Sequence, residues 1–435
     1  MKIFNVLDYG AVPGTGEKMT AQFQAALDAC FLAGGGTVEV PAGDYLLGGI
    51  RVRSNTVLHL LENAHLFGTR VPEDYCVLDN DTLEPADKAA YPYATNRWNN
   101  ALIRIFQAEN VTILGEPGSC LNGQNCYDPQ GEEGYRGPHG ITAYYCRNLV
   151  FKGYTVRDSA NWAHQIRYSS NIVGEDLHVF AGHDGFHTRA CQNVEVRNCE
   201  FYTGDDAIAG HGNVNVTVTN CILNTACSAF RFGATNLTVD NCTFFGPARY
   251  PWRGCLSDEE KINGSNEFSK VPDRLSLLSM FTFFSEDIED INRDPGHITF
   301  KNCKVNGAER LVQFNFSGGD KWQQGKAMTD LTLENITVEG LMMPIVLYGD
   351  KDAPCTVTMK HCAIDTADSF SADSLFQIAN CRELRMEDVE IRTGAPHLFQ
   401  SWGGIGRIER KDFRCSIPAE AEMIVADEPF WSLDI

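Results

Sequence analysis

Three carboxylates hold the densest concentration of chemistry in the chain. Asp184 and Asp206 are 22 residues apart, each nine residues ahead of an asparagine (Asn193 and Asn215), and Asp205 adjoins Asp206. Gly182-His183-Asp184-Gly185 and Gly204-Asp205-Asp206 both have turn composition. One Asp in such a turn is ordinarily just solvated, but three in a common register are not explained that way. Carboxylates crowded together push at least one pKa upward, which suits them to give and take protons. The same register reaches Trp162 one step earlier and Cys227 or Ser228 one step later. Three residues past these anchors stand Gln165, His187, Ala209 and Arg231; five past stand Arg167, Arg189, His211 and Gly233. A surface built this way carries acids, imidazoles, guanidiniums that grip a carboxylate or sulfate, and an indole face that stacks on a sugar ring. Which of these side chains point outward is left open by register alone.

A 22-residue step positions these groups only if it is a structural period. The chain repeats a short alternating strand that begins with Asn and ends in Asn-Cys: Asn193 to Cys199, Asn215 to Cys221, and Asn236 to Cys242. Weaker copies begin at Asn110, Asn148, Asn171, His297, Asp330, Thr356 and Glu383. A period near 22 is too short for ankyrin or tetratricopeptide units, and no leucine-rich frame runs through the copies. It fits one coil of a parallel β-helix, in which inward side chains of one coil pack on the next. Neighbouring coils are roughly 4.8 Å apart, so Asp184 and Asp206 are expected one above the other. Cys199, Cys221, Cys242, Cys303 and Cys362 should form a buried column of free thiols. Asn198, Asn220, Asn241 and Asn302 should form an amide ladder at a turn. The repeat accounts for the Asn-x-Ser/Thr matches at Asn215, Asn236 and Asn335 without glycosylation.

An open solenoid needs capped ends. Thr20 to Ala33 reads as one amphipathic helix with Phe23, Ala26, Leu27 and Cys30 on a face, stopped by Gly34-Gly35-Gly36. The expected organisation is one all-β domain over 1–435, with cap and first coil in about 1–50. An insertion at about 246–295 breaks the period as a cleft wall or oligomer contact, and the repeat fades after about 395.

Composition narrows the function. The 435 residues are 43% hydrophobic and 21% charged, enough for a large core. With 36 Lys and Arg against 57 Asp and Glu, the formal charge is −21, which disfavours nucleic acid and anionic membranes as partners. The first eight residues hold no apolar run of a signal peptide or span, and the 16 cysteines form no Cys-x-x-Cys pair. A cytoplasmic protein with reduced thiols is expected. No EF-hand loop or His-Glu-x-x-His helix accompanies His183, His187 and the acids, so no metal or other cofactor is expected. The glycine triplet follows its helix instead of opening one, so it is no phosphate loop.

Several of these stretches resemble glycoside hydrolase family 28, the polygalacturonases. They are Leu7-Asp8-Tyr9-Gly10-Ala11, the run from Gly34 to Tyr45, Ser54 to Leu60, Asp158-Ser159-Ala160-Asn161-Trp162, His183-Asp184-Gly185, and Thr203-Gly204-Asp205-Asp206-Ala207-Ile208. The resemblance covers about residues 1 to 245 and implies a right-handed parallel β-helix. It further implies Asp205 as general acid, with Asp184 and Asp206 together holding the attacking water, and inversion at the anomeric carbon. Inversion needs roughly 6.5–9.5 Å between acid and base carboxyls.

The sequence also departs from that family. The family's Asn-Thr-Asp reads Gly182-His183-Asp184, and its Gly-His-Gly reads Cys227-Ser228-Ala229, which puts Ser228 in the histidine's place. No Arg-Ile-Lys element follows; Arg231, Arg249 or Arg253 are the candidates to replace it. The expectation is an inverting glycoside hydrolase on an oligosaccharide, with galacturonan itself disfavoured as the substrate. Asp184, Asp205 and Asp206 would be its acids, and His183, His187, Arg189, His211, Ser228, Arg231, Trp162 and Arg167 its substrate contacts. Two other readings stay open: a uronic-acid lyase or epimerase, with Arg189 or a His as base and Ca²⁺ on the acids, and a non-catalytic sugar-binding solenoid. The sugar, its linkage and the oligomeric state are not written in the sequence.

Overall fold

The computed structural model describes residues 2–75, 97–128, 135–250, 252, 275–287, 293–418, 421 and 423–425. The chain divides into two units, Met1–Asp205 with Tyr250–Arg274 and Asp206–Arg249 with Leu275–Ile435. Among the described residues no helix is long and apolar enough to cross a membrane.

The first unit is a parallel β-helix whose coils feed three ribbons of strands. One ribbon runs through Gly36–Val40, Thr56–Leu60, Glu109–Gly115, Arg147–Lys152, Ser170–Glu175 and Gln192–Arg197. A second runs through Gly43–Leu47, Ala64–Gly68, Cys120–Asn122, Thr155–Arg157, His178–Ala181 and Glu200–Thr203. The third contains Ile50–Val52, Ala101–Phe106, His139–Tyr144, His164–Arg167 and Phe186–Arg189. Strands of the first ribbon alternate buried and half-exposed residues, the period-2 signature of a sheet with one covered face. In the third ribbon Ala101–Phe106 and His139–Tyr144 are buried at every position, so both faces are covered there.

Helix α1 (Thr20–Leu32) buries Phe23, Ala26, Leu27 and Cys30, as its pattern predicts. Gly34 ends it in the left-handed conformation (φ 87°), and the Gly35 N–H returns to the Cys30 carbonyl at 3.0 Å. The asparagines that open the repeats are also left-handed: Asn55, Asn110, Asn148, Asn171 and Asn193 have φ between 56° and 61°. Each side-chain amide donates to the preceding one, at 2.9, 2.8, 2.9 and 3.0 Å in turn. Asn is favoured because it tolerates this conformation and its amide is both donor and acceptor.

The second unit is also a stack of parallel coils, with strands that run on through two ribbons. Ile208–Thr219, Ser228–Asp240, Gly296–Asn306, Asp330–Leu341, Cys355–Thr366, Cys381–Arg392 and Ile405–Cys415 pair in sequence. Beside them stand Leu277–Phe283, Ala308–Asn315, Ile345–Tyr348, Ser374–Ala379 and His397–Ser401. Two readings of the sequence are corrected here. The 246–295 stretch is not all insertion, because Leu277–Phe283 is a coil strand in register with Ser228–Asp240. The repeat does not fade after 395 either: Leu384 pairs with Ile408 and Val389 with Phe413. Residues 253–274 of the insertion and 426–435 of the C-terminal end lie outside the described residues.

The predicted thiols are all buried and unbridged. Cys221 N–H points at Cys242 Sγ (3.5 Å), but Ile336 pairs with Cys303 and interrupts the column before Cys362. Asn241 donates to Asn220 (2.8 Å) as the ladder requires, whereas Asn302 donates instead to Asp240 Oδ1 (2.7 Å).

Candidate functional site

In the first unit the third ribbon carries the site residues, and the register read from the sequence holds. Gln165 pairs with His187 and Arg167 with Arg189. The Ala163 N–H donates to the Asp184 carbonyl at 2.8 Å, which sets Trp162 and Asp184 on neighbouring coils. Strand alternation then sorts the side chains. His164 points inward, with Nδ1 3.1 Å from the Gly185 carbonyl and Nε2 3.0 Å from the Tyr154 hydroxyl. Burial pushes its pKa down to about 4, so it is a neutral core residue.

His187 faces the other way. Its ring lies parallel to the Trp162 indole, 3.8 Å between centres, and its Nδ1 is 2.8 Å from Asp184 Oδ2. Both side chains are buried, His187 to 8% and Asp184 to 6% exposure. A carboxylate only accepts, so the shared proton belongs on Nδ1. His183 is buried too, with Nδ1 3.2 Å from Arg136 Nη1 and 3.9 Å from Asp205 Oδ2. Asp205 keeps 15% of its side chain exposed, and the Thr203 hydroxyl fixes its turn by donating to the Asp205 carbonyl (2.7 Å).

The structure adds residues that the register does not contain. Trp98 stands edge-on to Trp162 at 5.9 Å, His139 packs against Trp162 at 5.5 Å, and the Arg136 guanidinium lies 5.7 Å from the Trp98 ring. His139 Nε2 donates to the Trp98 carbonyl at 2.9 Å, and burial, reinforced by the Arg167 charge, holds its pKa well below the usual imidazole value. Arg167 reaches over Trp162 and Tyr144 at 5.9 and 5.7 Å, and Arg189 occupies the same position on the next coil. The result is an indole platform bordered by guanidiniums, beside a hydrogen-bonded Asp184.

Asp205 closes the first unit and Asp206 opens the second. In the second unit Asp206 is completely buried. Its Oδ1 accepts the Ser228 N–H at 3.0 Å, and its Oδ2 lies 3.4 Å from Arg231 Nη1. The Arg231 guanidinium sits against two aromatic rings, Phe284 at 4.4 Å and Trp322 at 4.6 Å. Ala209 pairs with Arg231 as the register predicts. Asp320 is also buried; desolvation raises its carboxyl pKa against the Trp322 N–H (2.9 Å) and the Arg231 charge.

Ser228 is placed behind the carboxylate. It is 1% exposed and its hydroxyl donates to Thr282 Oγ1 at 3.0 Å, so its link to Asp206 is the backbone amide. His211 stands apart, with Nε2 3.2 Å from Glu286 Oε2 and its ring 4.7 Å from Phe284, in a pocket lined by Arg293 and Lys326. Arg249 contributes a backbone N–H to Asn224 Oδ1 (2.8 Å), and Arg253 lies outside the described residues. Phe284 and Trp322 are not marked by the repeat: Phe284 lies inside the long step from Asn236 to His297 and Trp322 in the step from His297 to Asp330, both longer than the regular coil.

Residues 124–255 match the family described as right handed beta helix region. An exopolygalacturonase of Platanus acerifolia is 26% identical over 271 residues, covering 56% of this chain and 64% of that protein. A mannuronan C5-epimerase of Azotobacter vinelandii, AlgE2, is 41% identical over 70 residues, covering 16% of this chain and 7% of that protein. The chain thus spans less than two thirds of the length of either curated relative. The crystal structure of an exopolygalacturonase from Thermotoga maritima superposes with a TM-score of 0.67 at 16% identity, over 90% of this chain and 92% of that one. These likenesses show the right-handed parallel β-helix, and the polygalacturonase resemblance read from the motifs is supported by sequence relatives of that kind.

Proposed function

We propose that this chain is a divergent relative of the polygalacturonases and an inverting glycoside hydrolase acting on an oligosaccharide. In this reading Asp205, the most exposed of the three acids, protonates the leaving oxygen, while Asp184 and Asp206 hold and activate water. The departing sugar takes the Asp205 proton as the C–O bond breaks, and the water oxygen bonds the anomeric carbon on the opposite face. No step calls on a metal. The observation that supports this reading most directly is the junction of Asp184, His187 and Trp162: a buried, hydrogen-bonded carboxylate beside an aromatic face suited to a sugar ring. Arg167 borders that face and Arg189 pairs with it on the next coil; both suit a substrate bearing a carboxylate or sulfate.

The test is mass spectrometry on neutral and uronic oligosaccharides incubated in ¹⁸O-water. Wild type should release products heavier in sum by one labelled water, with the label at the anomeric oxygen of the new reducing end. Asp205→Asn should lose about 10²-fold or more in rate. Turnover retained in both Asp205→Asn and Asp206→Asn would sink the reading. A second reading rests on the 70-residue match to an epimerase. It requires a product with no added water, either unsaturated or inverted at C5.

A further inference from the structure

We infer that the turn closing the third ribbon of the first unit carries a second sugar-binding site, with the Tyr168 ring as its platform and a pyranose of an oligosaccharide as its ligand. Tyr168 stands at the end of strand His164–Arg167, the opposite end from Trp162. The inference does not depend on hydrolysis by the acids.

Four consecutive coils leave the third ribbon through one turn position, held in order by Gln107, Tyr145, Tyr168 and Ala190. All four are left-handed, with φ of 47°, 55°, 50° and 52°. Among non-glycine residues the chain gives such positions mostly to Asn, which adopts them readily, whereas a bulky side chain does so at a cost. The backbone alone therefore does not account for two successive tyrosines. Their rings are parallel within 6° and 5.0 Å apart between centres, close to the roughly 4.8 Å step between coils. The stack runs along the coil axis, and the next place in it belongs to residue 190.

Ala190 puts only a methyl group there and is itself half-exposed. Tyr145 covers one face of the Tyr168 ring; towards the other face the next coil offers nothing larger than that methyl. The result is a notch about one coil step deep, floored by an aromatic ring. A pyranose has an apolar C–H face that lies on such a ring as Tyr145 does on the other side. The surroundings suit its hydroxyls. Gln192, two residues past Ala190, is exposed and carries an amide that both donates and accepts. Towards the earlier coils, Tyr145 and Tyr168 line an open groove with Gln107, Glu109 and Arg147, in which Arg147 Nη2 donates to Glu109 Oε2 at 2.8 Å. Both tyrosines pack against buried Phe106 and Tyr144, which anchors the platform. A fixed aromatic face among planar polar side chains is a composition that recognises carbohydrate.

The experiment is ¹⁹F NMR on the full chain labelled with fluorotyrosine, with the Tyr168 resonance assigned by its loss in Tyr168→Phe. The probes are cellohexaose, xylohexaose and hexagalacturonate, and at least one should shift that resonance saturably. Ala190→Phe fills the notch with a ring of the chain's own and should weaken the titration about tenfold or more. Ala190→Gly keeps the notch and should titrate as wild type does. Gln192→Ala alters only an exposed side chain and should weaken the titration about fivefold. Trp162→Ala should leave the Tyr168 shift in place. A Tyr168 resonance that none of the three sugars moves, or a titration unaltered in both Ala190→Phe and Gln192→Ala, overturns the inference and leaves the hydrolase reading untouched. Loss of the shift in Trp162→Ala would assign it to binding at Trp162 and overturns the inference as well.

Discussion

His187 lies face to face with Trp162, with 5° between the ring planes, while its Nδ1 meets Asp184. One indole would therefore have two duties under the hydrolase reading. One face orients the imidazole that orients the carboxylate, and in that proposal its remaining surface, bordered by Trp98 and Arg167, meets the sugar. The two duties separate under substitution. Trp162→Phe keeps a ring for the stack and should change KM by only about twofold, whereas Trp162→Ala should raise KM about tenfold, the worth of one lost aromatic contact. Steady-state kinetics on the sugar that proves to be cleaved decides it. Equal KM values for the two variants would remove Trp162 from substrate binding.

Arg231 and Asp206 form the other tight pair, and it has a stability signature. Removing one partner of a buried pair costs about 3–5 kcal/mol because the survivor is an uncompensated charge. Arg231 keeps 23% of its side chain exposed, so the cost of Arg231→Met is expected nearer 2 kcal/mol. The double variant Arg231→Met/Asp206→Asn should recover more than half of that loss, since the neutral amide can still accept the Ser228 N–H. Denaturant unfolding of the singles and the double closes the cycle. Strict additivity would mean that the pair is not coupled.

Much of this was legible in the sequence because a coil repeats itself. The spacing of Asp184, Asp206 and their neighbours correctly gave the pairings Gln165–His187, Arg167–Arg189 and Ala209–Arg231 within each unit. The cap helix was equally readable, since its four buried residues share one face. What stayed hidden comes from outside the period. Trp98, Arg136 and His139 lie before Asn148, where the regular step of about 22 begins, and meet Trp162 and His183 only through the fold. Ser228 shows a different limit. Register placed it correctly beside Asp206 but could not say that its amide, and not its hydroxyl, makes the contact.

The asparagine ladder tests how the turns are held. Asn171 donates to Asn148 and accepts from Asn193, at φ 56°. Ala there loses both amide bonds and also meets the steric penalty of the left-handed region, about 1–2 kcal/mol by itself. Gly loses the same bonds without that penalty. Asn171→Ala should therefore be less stable than Asn171→Gly by about 1 kcal/mol in urea unfolding. The reverse order would show that the amide ladder, and not the backbone conformation, selects Asn at these turns.

His164 gives the fold an acid-sensitive point buried within the coil, on the strand that follows Trp162. Its ring is buried between Tyr154 and the Gly185 carbonyl, and burial lowers its pKa to about 4 from the ordinary 6.5. The folded state thus prefers the neutral ring, while the unfolded chain takes up a proton below about pH 6.5. The contribution of this residue is complete above pH 6.5 and declines as pH falls toward 4, by about 3 kcal/mol over the interval. His139, also buried, acts in the same direction. Urea unfolding at pH 7.0, 5.5 and 4.5 should show the decline, and His164→Gln should flatten it while lowering stability at pH 7. A variant with the same slope as wild type would place the acid sensitivity elsewhere.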